Sequence, residues 1–190
     1  MGPRSQAQPR GRAEPVEAEM PLGRYLASTE KRVRDRAIRS LAAFVLMRAQ
    51  EGGLSMSPAE LSKLWKGLFY CFWMSDKPLV QQQLAQELSE LVLMVAGIDT
   101  RSDEAQVASL RHALAALDFY QGFWHTMQAE WLGVDKFRID KYYLLMRRFL
   151  QAGCQLLLVY GCDALLVERY VHILSLIHIS EPTRLRRTSY

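Results

Sequence analysis

Cysteines and histidines are the side chains in this 190-residue sequence that are best suited to nucleophilic or metal chemistry. A nucleophile and a base could be drawn from Cys71 and His125, but nothing in their spacing brings them together, and Cys71 lies in an apolar helical stretch. A reactive thiolate needs an electropositive, partly exposed site. The sequence therefore predicts no catalytic residues and no enzymatic activity.

The histidines and cysteines also lack the short, paired spacing of metal ligands. Cys71, Cys154 and Cys162 are an odd number in apolar surroundings. This pattern predicts buried, reduced thiols in a reducing compartment. No glycine-rich phosphate loop is present, so we expect no metal, no cofactor and no small-molecule substrate.

Composition is typical of a globular domain, with 49% hydrophobic and 23% charged residues. The formal net charge of +4 permits contact with nucleic acid but does not require it. No apolar run reaches the ~18 residues that a membrane span needs, and no secretory signal is visible. We therefore expect no membrane partner.

The elements that must position any functional residue are organised around an aromatic stretch at residues 64–78. Helical spacing places one set of apolar side chains on a single face, namely Leu61, Leu64, Trp65, Leu68, Phe69 and Phe72. A second set fills the opposite side, namely Tyr70, Cys71, Trp73 and Met74. A helix that is apolar nearly all round is expected to be buried on both sides.

Similar periodicity along the chain predicts six helices and no strand. Ser57, Pro58 and Glu60 form a capping box with proline at the first helical position, which is a strong start signal. The predicted helices cover residues 28–50 (starting at Ser28 or Thr29), 58–74, 78–96, 103–131, 138–160 and 162–174. The expected fold is all-α, with antiparallel helices in an α-solenoid-like array of the HEAT/ARM kind.

The predicted domain boundaries leave a segment at each end of the helical region. Residues 1–20 are expected to be a disordered tail, and residues 21–173 form the helical domain. From Leu174 the sequence leaves the helical pattern and resembles the conceptual translation of a transposase-type sequencing adapter. We interpret residues 174–190 as an artefactual tail, with a genuine divergent tail as the alternative.

Candidate contact residues fall into three groups. Arginines crowd the first half of the first helix, where positive charge opposes the helix dipole; this pattern suggests either a plain solvated face or contact with an external anion. A mixed-charge cluster at the start of the fifth helix suggests either an ion-pair network or a partner contact, with its basic residues expected on the outer side and Tyr143 and Leu150 facing inward. Tryptophans are enriched at binding hot spots. The candidates are Arg32, Arg36, Arg39, Lys66, Trp73, Asp76, Lys77, Trp131, Asp135, Lys136, Arg138, Lys141 and Arg148.

Two long strings carry a family resemblance. Residues 64–79 read Leu-Trp-Lys-Gly-Leu-Phe-Tyr-Cys-Phe-Trp-Met-Ser-Asp-Lys-Pro-Leu, and residues 123–148 begin Phe-Trp-His-Thr-Met-Gln-Ala-Glu-Trp-Leu-Gly-Val-Asp-Lys-Phe-Arg. Together with the arginine-rich first helix, they resemble the ribosomal RNA-processing protein 1 family of nucleolar proteins. The resemblance spans residues 25–149 and extends toward residue 170.

This resemblance implies a non-enzymatic assembly factor of the nucleus and nucleolus. Its members act in pre-rRNA processing and large ribosomal subunit biogenesis, so the implied partners are pre-ribosomal assembly proteins and pre-rRNA. The family brings no catalytic residues, and its helical domain and charged C-terminal region are expected to continue beyond this chain. The alternative is a general helical protein–protein adaptor without RNA contact.

Overall fold

The computed structural model describes residues 25–26, 28–50, 56–98 and 109–179. These residues contain no strand, and a short 3-10 helix, Trp131–Gly133, joins the fourth and fifth α-helices. The long helices are α1 Lys31–Gln50, α2 Pro58–Trp73, α3 Pro78–Val95, α4 Leu110–Glu130, α5 Ile139–Val159 and α6 Ala164–Ile179. The all-α prediction is confirmed, whereas the predicted tail at residues 1–20 lies outside the described residues.

Each of the first four long helices packs chiefly against the helix two positions later in the chain. Thus α1 packs on α3, α3 on α5, α2 on α4 and α4 on α6. This pairing forms an odd-numbered row and an even-numbered row, which are joined most extensively where α3 contacts α4. Such nearest-neighbour stacking within rows is typical of solenoid-like arrays and confirms the predicted helical array.

The start of α2 has the predicted capping box. The Ser57 hydroxyl accepts a hydrogen bond from the Glu60 amide at 3.3 Å, and the Glu60 carboxylate accepts one from the Ser57 amide at 2.8 Å. The hydrogen bonds from Ser57 lower the pKa of the Glu60 carboxyl. Because Pro58 has no amide hydrogen to satisfy, it suits the first helical position.

Aromatic rings fill the core between the two rows. The Trp65 ring on α2 lies 4.7 Å from Phe119 and 5.6 Å from Phe123, both on α4. Phe149 on α5 stacks on Phe123 at 3.7 Å, and the Tyr142 hydroxyl on α5 donates to the Phe69 carbonyl at 3.1 Å. Helix α2 therefore has buried contacts with both rows, as its all-round apolar surface predicts.

Two helix boundaries differ from the sequence-based expectation. Helix α4 begins at Leu110 because Ser109 has extended backbone angles (φ −64°, ψ 155°), so the prediction of a start at residue 103 is wrong. Helix α6 continues to Ile179 rather than ending near residue 174. Main-chain hydrogen bonds do not require an amphipathic pattern, so the first residues of the adapter-like segment can continue the helix. The artefact interpretation of that segment stays a prediction, and residues 180–190 lie outside the described part.

Candidate partner-binding surfaces

The structure separates the two residues of the hypothetical nucleophile pair. Cys71 is fully buried in α2, and this burial raises the pKa of its thiol to about 11. His125 is exposed on α4, where its ring lies 3.3 Å from the Gln121 amide nitrogen. A buried, neutral thiol cannot act as a nucleophile toward a substrate in solvent.

The other two cysteines are exposed, so the prediction that all three thiols are buried is wrong. Cys154 lies on α5 with its sulfur 3.7 Å from the Tyr170 hydroxyl on α6, and Cys162 lies in the turn before α6 with a φ of 54°. Apolar neighbours in the sequence did not indicate the exposure of these two cysteines, because the turn and the exposed side of α5 also carry apolar residues. Leu158, for example, is 71% exposed.

The burial of Cys71 leads to a prediction about thiol reactivity. A colourless disulfide reagent at pH 8 is expected to modify Cys154 and Cys162 rapidly, and Cys71 only after unfolding, because its pKa is raised and its sulfur is inaccessible. Absorbance of the released thiolate measures the exposed thiols without denaturant and all three thiols with denaturant. The Cys154→Ser/Cys162→Ser variant should show no rapid phase, and a persistent rapid phase would contradict the buried position.

The arginines of α1 divide into a structural group and an exposed group. Arg34 is buried, and its guanidinium donates to the carbonyls of Ser28 and Thr29, both at 2.9 Å. It also donates to the carbonyl of Met74 at 3.3 Å. Arg34 therefore ties the start of α1 to the end of α2 and is not available to a partner.

The exposed group consists of Arg32, Arg36 and Arg39. Spacings of four and three residues place these arginines on one side of α1. Within the described part of the chain, none of the three has an ion-pair or hydrogen-bond partner. Their neighbour Lys31, in contrast, pairs with Asp35. Helix α1 thus presents a row of three solvated guanidinium groups, which we call the arginine row.

Lys141 is buried, so the prediction that it lies on the outer side of α5 is wrong. Its ammonium donates to the carbonyls of Trp73 at 2.7 Å and Ser75 at 2.8 Å. These carbonyls belong to the end of α2 and the turn that follows, where the negative end of the helix dipole favours a cation. Burial and, to a smaller extent, the charge of Arg138 lower the pKa of Lys141 to about 8.

Asp135 and Arg138 form an ion pair beside Lys141, as the ion-pair interpretation of the charge cluster expects. One Asp135 oxygen also accepts the amides of Phe137 at 3.0 Å and Arg138 at 3.1 Å. Desolvation opposes ionisation of this carboxyl, but the hydrogen bonds from Arg138 and Phe137 outweigh it and lower the pKa. The Arg138 guanidinium lies 4.5 Å from the centre of the Trp73 ring.

Lys66 and Trp131 lie near the end of α4, Lys66 through its contact with Glu130 and Trp131 by its place in the chain. The Lys66 ammonium lies 3.0 Å from one oxygen of Glu130, whose other oxygen accepts the Tyr70 hydroxyl at 3.2 Å. This hydrogen bond and the negative charge of Glu130 raise the pKa of Lys66. Trp131 is half-buried, with its ring 5.7 Å from that of Tyr143.

The remaining predicted contact residues are peripheral. Asp76 and Lys77 are exposed in the turn before α3, and Arg148 donates to Gln151 on its own helix at 3.2 Å. Lys136 is exposed, with its ammonium 5.1 Å from the Phe137 ring. The structure therefore gathers four of the predicted residues into one corner between α2 and α5, which are Trp73, Asp135, Arg138 and Lys141.

Sequence reasoning missed two exposed apolar residues in the connection between α4 and α5. Leu132 is 72% exposed and Phe137 is 84% exposed. The available signal was their position between helices, where no buried stripe requires an apolar residue. Tyr143 and Leu150 were predicted to face inward, yet both are exposed at the outer side of α5.

A groove of about 710 Å³ runs between α2, α4 and α6. Its acidic and basic residues are all paired, Lys66 with Glu130 and Arg169 with Asp118 at 2.9 Å. Among the residues that the structure describes, no three His, Cys, Asp or Glu side chains form a group that could hold a metal ion. None of the described helices combines the length and the hydropathy that crossing a bilayer requires.

Comparison with known protein families finds a match that covers most of the chain. Residues 17–187 match the family model described as "Nucleolar protein, Nop52". The chain belongs to the Nop52 family. This match includes all six long helices, the exposed connection between α4 and α5, and the arginine row.

Relatives of this Nop52-family chain carry a common name. Ribosomal RNA processing protein 1 homolog A of Homo sapiens is 37% identical over 156 residues, which cover 82% of this chain and 31% of the relative. Homolog B of Mus musculus is 42% identical over 140 residues, covering 74% and 17%. The Drosophila melanogaster homolog is 30% identical over 171 residues, covering 90% and 23%. The chain thus spans between about a sixth and a third of the length of these relatives.

Proposed function

We propose that this chain is a non-enzymatic helical scaffold for pre-rRNA processing and large ribosomal subunit biogenesis in the nucleus and nucleolus. The description of its family and the names of its relatives support this role. Its partners are pre-ribosomal assembly proteins and pre-rRNA. Within this function, the arginine row contacts RNA phosphates.

The observation that carries the RNA contact is the exposure of the arginine row. Arg32 lies in the first turn of α1, where the helix dipole disfavours a cation by about 0.3–1 kcal/mol. Three guanidinium groups on one side also repel one another. An RNA backbone relieves both costs, because its phosphates pair with guanidinium groups through short, charge-assisted hydrogen bonds.

The absence of enzymatic activity is supported by the chemistry of the described surfaces. Cys71 is buried with a raised pKa, and the acidic and basic residues of the groove between α2, α4 and α6 are paired. A catalytic site would instead gather titratable groups with perturbed pKa values around a position for substrate. The perturbed groups Lys141 and Tyr142 both donate to main-chain carbonyls in the core.

The test of the RNA contact is the salt dependence of binding. Arg32→Gln/Arg36→Gln/Arg39→Gln should weaken binding to a single-stranded RNA and reduce the slope of log K against log salt by about 2, since each neutralised phosphate contributes ~0.7. Fluorescence anisotropy between low and physiological salt measures this slope. Circular dichroism of the variant confirms that the helices remain.

A matched control removes the same charge from scattered positions. Lys63, Arg111 and Arg147 are exposed on three different helices. Their combined replacement by glutamine should leave most of the slope intact, because no row of cations is lost. Equal effects of both triple variants, or a wild-type slope near zero, would reject the arginine row as an RNA contact. A flat wild-type slope with intact capture of nucleolar proteins would instead favour the adaptor without RNA contact.

A further inference from the structure

The connection between α4 and α5 presents one aromatic ring to solvent on a rigid backbone. Phe137 is 84% exposed, and its amide is held by the Asp135 carboxylate at 3.0 Å. Asp135 is in turn paired with Arg138, whose guanidinium lies against the half-buried Trp73 ring. The turn is therefore fixed by packed groups, and ordering it on binding would cost little conformational entropy.

A cation accompanies this ring. The Lys136 ammonium lies 5.1 Å from the centre of Phe137, within the range of a cation–π contact, and its side chain is also exposed. Single exposed apolar residues are common and need no explanation. The combination of an exposed ring on a hydrogen-bonded backbone with an adjacent exposed cation is more specific.

We propose that Phe137 and Lys136 form a stacking site for one unpaired nucleotide of RNA, an inference that rests on the RNA contact proposed above. A nucleotide presents a flat base to the ring and a phosphate to the ammonium at the same time. A protein pocket that accepted Phe137 would also desolvate the Lys136 ammonium, which is costly without a paired acid. The chemistry of this pair therefore favours a nucleotide.

The site requires a base that is not already paired. In an RNA duplex, both faces of an internal base are covered by its neighbours, so a ring in a surface turn cannot reach them. Stacking on an aromatic ring also depends little on salt, in contrast to phosphate contact. These two properties distinguish the stacking contact of Phe137 from the phosphate contacts of the arginine row.

The test compares Phe137 variants on single-stranded and double-stranded RNA of about 12 nucleotides, a length within the site sizes of ~4–16 known for single-strand binders. Phe137→Ala should weaken single-strand binding by about tenfold without changing the salt slope. Phe137→Leu should lose nearly as much, because it keeps apolar volume but has no π face. Leu132→Ala, at the other exposed apolar residue of the connection, should change affinity by less than about twofold.

Several results would overturn the inference. Wild-type affinity in Phe137→Ala would remove the stacking contact, and wild-type affinity in Phe137→Leu would show that only apolar volume matters. An equal loss on duplex RNA would contradict the need for an unpaired base. If Phe137→Ala has no effect while the arginine-row variant still loses its slope, the inference fails and the proposed function stands. If the wild-type chain binds neither the single-stranded nor the double-stranded RNA, the stacking site and the proposed RNA contact of the arginine row both fail.

Discussion

Replacing Trp65 by alanine is expected to lower the free energy of unfolding by about 4 kcal/mol, in the range for truncating a buried tryptophan. Trp65 is 2% exposed, and its ring contacts Phe119, Phe123 and Phe149 at centroid distances between 4.7 and 5.6 Å. Its indole N–H donates to the Phe119 carbonyl at 2.9 Å. Urea unfolding followed by circular dichroism measures the loss.

Gly122 supplies a sharper test of the same contact. A Cβ at position 122 would lie 2.5 Å from Cδ1 and 2.7 Å from Nε1 of Trp65. Glycine to alanine in an open helix stabilises by about 1 kcal/mol, but here the clash should make Gly122→Ala destabilising by ~1–3 kcal/mol. In a Trp65→Leu background the ring is gone, so the cost of the added methyl should fall markedly.

The control for this cycle is Gly133→Ala, because a Cβ at position 133 meets nothing within 4 Å. Its effect should be the same in both backgrounds. Additive effects of Gly122→Ala and Trp65→Leu would contradict the close approach of α2 and α4, because residues in contact normally show coupling of 0.5–3 kcal/mol.

Replacing Lys141 by methionine is expected to lower the unfolding free energy by about 2–4 kcal/mol at neutral pH. Methionine has a similar length but cannot donate to the carbonyls of Trp73 and Ser75, which lie at 2.7 and 2.8 Å from the ammonium. Lys136→Met, at an exposed lysine in the neighbouring turn, should change stability by less than ~0.5 kcal/mol. Denaturant midpoints of the three proteins measure the difference.

The lowered pKa of Lys141 adds a pH dependence with a defined sign. The group titrates at about 8 in the folded chain and near ~10.4 when unfolded. Between these values the unfolded chain binds more protons, so the contribution of Lys141 to the unfolding free energy rises with pH. The stability of the wild type relative to Lys141→Met should therefore increase from pH 8 to pH 10.

Subtracting the variant is essential to this measurement. Burial raises the pKa values of the Cys71 thiol and the Tyr142 hydroxyl, and both groups make stability fall with pH in the same region. Their contributions cancel in the difference between wild type and variant. A difference that stays constant or declines with pH would show that Lys141 does not titrate below its unfolded value in the folded chain.

Helix positions are the part of this fold that local sequence predicts well. The capping box before α2 and the proline that begins α3 were both readable, since caps involve residues only a few positions apart. The buried stripe of α3 also follows the expected spacing of leucine and valine. The start of α4 was placed too early, although Ser109 is a common N-cap residue and has the extended backbone angles of an N-cap.

The roles of individual charges could not be predicted in the same way. Arg34 and Arg36 are two residues apart on α1, yet Arg34 is buried against carbonyls and Arg36 is solvated. One of the hydrogen bonds of the Arg34 guanidinium goes to the carbonyl of Met74, which is 40 positions away in the sequence. The corner between α2 and α5 depends on a similar long-range contact, the hydrogen bonds from Lys141 to the carbonyls of Trp73 and Ser75. These bonds bury Lys141, which the sequence had placed on the surface.

The sequence by itself determined that this chain forms helices, where most of them lie and which family it resembles. These properties follow from periodicity, capping and long strings of uncommon residues, all of which are local. Only the tertiary structure decided which cations are solvated and which are bound. A basic side chain is buried where main-chain carbonyls replace its water, and for Arg34 and Lys141 packing between helices supplies one or both of the carbonyls that the local sequence does not.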